Sequence, residues 1–160
     1  VVGLFGCAHA QMRAAKPVGE VLGATAAAEP KPEAAGPTSA AESDLAAVLS
    51  GDVLHFGFDQ ATLTAENRSR LQKIAEVLGR FPGVKIRIDG NCDERGTVEF
   101  NLALGNRRAA VAKEYLSNLG IDAARISIIS YGKERPVATA HEEQAWAQNR
   151  RDDFQPNAQY

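Results

Sequence analysis

The run GNCDERGTVEFNLALGNRR, Gly90 to Arg108, places an acid-rich loop directly before a helix that carries arginines. Asp93 and Glu94 lie in the glycine-bounded loop, and Thr97 is the candidate N-cap. The unpaired N–H groups of the first helical turn then face the same space as the two carboxylates. The helix is predicted from Thr97 to about Leu119, with Gly120 ending it. At 100° per residue, Leu102, Gly105, Ala109, Ala112, Leu116 and Leu119 fall on one side, the expected sheet-facing stripe. Asn101, Leu104 and Arg108 lie along one edge of that stripe, and Arg107 points to solvent. Arg108 is roughly 10 Å along the axis from Asn101, so its long side chain reaches back toward the loop.

The flanks read as alternating strands and helices. Upstream, Val84 to Asp89 (VKIRID) alternates apolar and polar, as a strand with one buried face does. Before it, Thr64 is a candidate N-cap, Glu66 sits in the first turn, and Leu71, Ile74, Ala75 and Leu78 form a helical stripe. Gly79, followed by Phe81-Pro82-Gly83, is read as the stop. The first strand is expected at Val53 to Phe56, ending in the turn Gly57-Phe58-Asp59-Gln60. Downstream come a strand from Arg125 to Ser130, a loop from Tyr131 to Pro136, a short helix from Glu142 to Gln148 and a last strand from Arg150 to Phe154. This order predicts an α/β (α+β) sandwich, with helices packed on one face of a small mixed sheet.

The rest of the chain is of another kind. At 160 residues it holds one domain and some unstructured sequence, and a net charge of −2 gives no footprint for nucleic acid. Four prolines, Pro17, Pro30, Pro32 and Pro37, fall in the Ala-, Glu- and Gly-rich early part, where no apolar period is sustained. Residues 8–44 are therefore expected to form a disordered tether with a root-mean-square span on the order of 30 Å, extensible to roughly 100 Å. The folded domain is expected over 45–155, with 156–160 frayed. Residues 1–7 end in Leu4-Phe5-Gly6-Cys7, which resembles a bacterial lipobox, although Phe5 is bulkier than usual. That resemblance implies lipidation of Cys7, and Ala8 after the cysteine implies the outer membrane. Cys92, the other cysteine, is expected to be a small, partly buried thiol.

Three readings of the loop stand at the level of spacing. Asp93 and Arg108 on opposite walls of one pocket would hold a zwitterion, the carboxylate taking its ammonium and the guanidinium fork its carboxylate. The same two residues could instead form an intramolecular salt bridge, with Glu94 and Arg95 as a solvated turn. A divalent cation on Asp59, Asp89, Asp93 and Glu94 is weaker, because the spacing fits no calcium loop. Nothing points to an enzyme or a cofactor. His9, His55 and His141 are scattered, no phosphate loop follows a strand, and adjacent Asp93 and Glu94 do not span a scissile bond.

The central run, together with Ile129-Ser130-Tyr131-Gly132-Lys133-Glu134-Arg135-Pro136 and Trp146-Ala147-Gln148-Asn149-Arg150-Arg151, resembles the OmpA-like family of peptidoglycan-binding domains over about Val53 to Phe154. The resemblance implies non-covalent binding of the diaminopimelate in the peptide stem of peptidoglycan. Asp93 would hold its ammonium and Arg108 its carboxylate. It also implies Phe58 and Asp59 in a neighbouring rim loop, Asn101 and Leu104 lining the pocket, and Arg150 nearby. A TolB-like periplasmic protein is the implied partner, engaged in envelope constriction. Trp146 is either an anchor for that partner or a core residue. Two departures stand out: Cys92 occupies a position where threonine is common, and Asp152-Asp153 make the last, edge strand unusually polar.

Overall fold

The computed structural model describes residues 47–49 and 51–156. The chain divides into two units, Val1–Glu33 and Ala34–Tyr160, and every described residue belongs to the second. The expectations for Cys7, the tether and residues 157–160 lie outside the described residues.

Four strands form one sheet in the order β1-β4-β2-β3, with β1 at Leu54–His55, β2 at Ile86–Asn91, β3 at Ile126–Gly132 and β4 at Arg151–Pro156. β4 runs antiparallel to both β1 and β2, whereas β2 and β3 are parallel. Helix α1 (Ala65–Arg80) connects β1 to β2, and α2 (Val98–Asn118) crosses from β2 to β3, as a parallel pair requires. A short helix α3 (Glu143–Asn149) leads into β4. The sheet is therefore mixed, as expected, but β4 is an interior strand and not the edge.

Side-chain alternation along β2 turns Ile86, Ile88 and Gly90 toward the helices and Arg87, Asp89 and Asn91 away. On β4, Phe154 lies beside Ile88 and Asp152 beside Gly90, which puts Asp152 on the helix side. The core combines Leu54, Ile86, Ile88 and Phe154 with Leu71, Ile74 and Leu78 of α1 and Ala109, Ala112 and Leu116 of α2. Each large side chain buried there stabilises by roughly 1.5–3 kcal/mol. The outer face carries ion pairs instead: Arg87 donates to both oxygens of Asp89, and Arg151 pairs with Asp153. These pairs separate the adjacent carboxylates of Asp89 and Asp153, which face each other across β2 and β4.

Local signals at the helix starts act as expected. Thr64 Oγ1 accepts from Asn67 N, and Thr97 Oγ1 accepts from Phe100 N, each at 3.1 Å. Two expectations hold only in part. Gly79 is inside α1, which ends at Arg80, directly before the expected Phe81-Pro82-Gly83 stop; the Arg125 guanidinium donates to Leu78 O in its last turn, to Phe81 O at its end and to Val84 O beyond it. Leu102 and Leu119 are 39% and 42% exposed, because the buried face of α2 is centred on Asn101, Leu104, Gly105, Arg108 and Ala112. A face that includes an asparagine and an arginine is not found by counting apolar residues.

Glycine sets how closely α2 approaches the sheet. A Cβ on Gly90 would lie 2.2 Å from Gly105 O, and one on Gly105 would lie 2.4 Å from Ser130 Oγ. The start of α2 is thus pressed against the ends of β2 and β3, and the loop between β2 and α2 opens at that corner.

Candidate functional site

An open pocket with a volume of about 100 Å³ lies at this corner, lined by Phe58, Asp59, Cys92, Asp93, Arg95, Gly96, Phe100, Asn101, Leu104, Arg108 and Arg150. It brings together all seven ligand residues expected from the sequence, drawn from the β1–α1 turn, the β2–α2 loop, α2 and the residue before β4.

The loop is tightly held. Asn101 Nδ2 donates to Arg95 O and Thr97 O, Lys133 Nζ donates to Gly96 O and Glu94 O, and Gly96 turns the chain at φ 89°. Outside the pocket, the Glu94 carboxylate accepts from Trp146 Nε1 at 2.8 Å and pairs with His141 Nδ1 at 2.7 Å. These bonds fix the loop to α3. The His141 and Trp146 hydrogen bonds hold Glu94 below the usual carboxylate range, and the Glu94 hydrogen bond holds His141 above its own.

Asp93 is buried and carries most of the loop's chemistry. Its Oδ1 accepts from Arg95 N at 3.1 Å, and its Oδ2 accepts from Arg95 Nη2 at 2.5 Å and Arg150 Nη1 at 3.2 Å. Burial pushes its carboxyl up, but the hydrogen bonds from Arg95 and Arg150 together outweigh this and leave it below the ordinary value. Arg150 also donates to Phe56 O and Glu143 Oε1, joining β1, the loop and α3.

Arg108 is fully buried at the pocket floor. Its Nε donates to Gln60 O at 2.7 Å, Nη1 to Asn91 O at 3.0 Å and to Cys92 Sγ at 3.5 Å, and Nη2 to Gly57 O at 3.0 Å. The fork expected to stand open for a carboxylate is therefore largely engaged in holding the rim turn against the end of β2. One of its five N–H groups, on Nη2, is left over by this pattern. Burial lowers its pKa from the ordinary arginine value. The rim turn itself contains Asp59 at φ 51°, a conformation that aspartate tolerates better than most residues.

The geometry separates the alternatives left open by spacing. Among the described residues Asp93 pairs with Arg95 and Arg150, and no salt bridge joins it to Arg108. No group of three or more metal-ligating side chains occurs among the described residues, and Asp89 is paired with Arg87 on the outer face. Cys92 is buried as expected; its thiol donates to Asn101 O at 3.3 Å, and burial pushes its pKa up to about 11. Trp146 is half-buried and is not a core residue.

Arg95 is the residue that sequence reasoning missed. The sequence offers it only a solvated turn, under the salt-bridge reading, yet its guanidinium lies 4.0 Å from the ring centroid of Phe58 and 4.2 Å from that of Trp146, a double cation–π contact. The available signal was the alternation of Asp93 and Arg95 in a loop, but the two aromatic partners come from distant parts of the chain.

Comparison with known proteins is consistent with this geometry. The OmpA family model matches residues 55–150. A peptidoglycan-associated lipoprotein of Agrobacterium fabrum is 46% identical over 101 residues, which is 63% of this chain and 57% of that protein. One from Pseudomonas aeruginosa is 45% identical over 109 residues, 68% of this chain and 64% of that protein. The chain thus spans about three-fifths of the length of these curated relatives. Among solved structures, the peptidoglycan-associated lipoprotein of Burkholderia pseudomallei aligns with a TM-score of 0.66 at 43% identity, covering 69% of this chain and 93% of that one. The cell wall anchor of the type VI secretion system of Pseudomonas aeruginosa aligns with a TM-score of 0.54 at 26% identity, covering 62% and 71%.

Proposed function

Because the chain belongs to the OmpA family, we propose that its folded domain binds peptidoglycan without a covalent bond, through the diaminopimelate of the stem peptide. One observation carries the reading: a buried carboxylate, Asp93, and a buried guanidinium, Arg108, line the same small pocket without pairing with each other. Asp93 accepts from the ligand's ammonium. Arg108 supplies charge and its remaining N–H to the carboxylate, and the N-terminus of α2 adds partial positive charge. Leu104 and Phe58 offer apolar surface to the methylene stem, with Asp59 at the rim. Asn101 and Arg150 act on the loop, the first through its carbonyls and the second through Asp93.

In this reading Cys7 carries the lipid that anchors the protein in the outer membrane. Residues 8–44 form the tether, and 45–155 face the periplasm as the binding domain. The names of the relatives support this placement. The domain ties membrane to wall by binding and not by catalysis, within the Tol-Pal system of envelope integrity and division. The exposed Phe58 and half-buried Trp146 beside the pocket mouth favour a TolB-like partner docking at the same rim.

Sedimentation with purified sacculi tests the reading. The wild type is expected to pellet and Asp93→Asn to stay in the supernatant, since the substitution removes the ammonium's charged acceptor. Equal pelleting of both would overturn the site assignment, and soluble fragments released from the sacculi would indicate a hydrolase instead.

A further inference from the structure

The carboxylate proposed to take an incoming ammonium, Asp93, already accepts from two arginine side chains. Arg95 Nη2 donates to Asp93 Oδ2, and the guanidinium is held between Phe58 and Trp146. Arg150, the other cation on that oxygen, is buried and fixed by Phe56 O and Glu143. Arg95 differs in being 30% exposed at its side chain.

Two features make its contact exchangeable. Arg95 Nε is buried with no acceptor among the described residues, so the inner position leaves one donor unpaired. A second carboxylate, Glu143 Oε2, lies 3.7 Å from Arg95 Nη1 and belongs to a side chain that is 64% exposed, which gives the guanidinium an outer partner. Charge changes with its position. With Arg95 inside, the wall carries Arg95, Arg108 and Arg150 against Asp59 and Asp93, a surplus that suits an anion. With Arg95 moved out, two arginines face two aspartates, a balance that suits a zwitterion.

We propose that Arg95 is a specificity-determining residue: an internal cation, seated between Phe58 and Trp146, that a ligand's ammonium must displace from Asp93 before a zwitterion is held. The inference rests on the reading of Asp93 as the ammonium acceptor. In the exchange the Arg95 backbone N–H stays on Asp93 Oδ1, and the guanidinium moves toward Glu143. A ligand with carboxylates and no ammonium leaves Arg95 in place.

Trp146 is the sole tryptophan of the chain and touches the guanidinium, so its emission reports the exchange. The wild type is titrated with meso-diaminopimelate and with pimelate, which lacks both amino groups, and affinities are measured in parallel by calorimetry. The expected result is a saturable emission change with meso-diaminopimelate alone. Arg95→Met, which keeps an unbranched stem between the rings, is expected to bind meso-diaminopimelate roughly five-fold more tightly, the size of a released, partly exposed ion pair. Equal or weaker binding by Arg95→Met overturns the proposal while leaving the peptidoglycan reading intact. So does calorimetric binding by the wild type with unchanged emission, an outcome that needs no variant. Failure of both proteins to bind meso-diaminopimelate and to pellet with sacculi overturns the peptidoglycan reading and this inference with it.

Discussion

Beside the ligand role proposed for it, Arg108 has a structural task that its contacts define. Three backbone carbonyls, Gly57 O, Gln60 O and Asn91 O, depend on its guanidinium. Arg108→Met keeps the volume and removes every donor, so it should lower stability by about 3 kcal/mol, read as a drop in the urea midpoint. Loss of ligand binding in that variant reflects a released rim as well as a lost charge, which is why Asp93 gives the cleaner binding test. A second buried charge behaves differently. Asp152 is fully buried on the helix side of β4, neither of its oxygens has a hydrogen-bond partner among the described residues, and burial raises its pKa well above the ordinary value. Between the ordinary 3.8 and that raised value, the unfolded chain releases the proton that the folded chain keeps, so this residue's contribution to stability falls as pH rises through the window. Asp152→Val should therefore be more stable than the wild type at pH 8, by about 1–3 kcal/mol, with the gain shrinking toward pH 4. Paired urea titrations at the two pH values check it; a gain independent of pH would contradict it.

At the scale of elements, the pocket depends on how closely α2 sits on β2. Gly90→Ala would put a methyl group 2.2 Å from a backbone oxygen of Gly105, a contact that only a shift of the helix relieves. The expected cost is at least the ~1–3 kcal/mol of ordinary overpacking, together with weaker sacculus binding, because Arg108 and the Asp93 loop are carried on the two displaced elements. Native binding alongside the full stability loss would show that the pocket tolerates the shift. Much of this architecture was legible in the sequence because its signals are local. The period-two run Val84 to Asp89 and the caps Thr64, Thr97 and Gly120 each act within a few residues. What stayed hidden depends on residues far apart in the chain. Arg125 reaches the carbonyls at the end of α1 from another part of the chain, and Arg95 found its rings on the rim turn and α3. The buried face of α2 keeps Gly105, Ala109, Ala112 and Leu116 as read, but takes in Asn101, Leu104 and Arg108 in place of Leu102 and Leu119.

For the molecule as a whole, the seven site residues expected from the sequence do line one pocket, but the guanidinium fork is not free within it. In the proposed reading, recognition rests on charge at both ends of a small ligand, with Asp93 at one end and the field of Arg108 and α2 at the other. Asp93 must be ionised for this. Its lowered pKa means that its stabilising contribution is present above the ordinary 3.8 and is lost as pH falls through the lower native value. Across the neutral range, therefore, the chemistry of the stem peptide and not the protonation of the site decides binding. Lysine has the ammonium and methylene chain of diaminopimelate but lacks its second carboxylate, so it presents no zwitterionic centre at the end of the stem residue. The most direct measurement is sedimentation of one preparation of this protein with diaminopimelate-containing sacculi and with lysine-containing sacculi at equal mass. Pelleting with the first and not the second is predicted; equal pelleting with both would contradict recognition of the zwitterion.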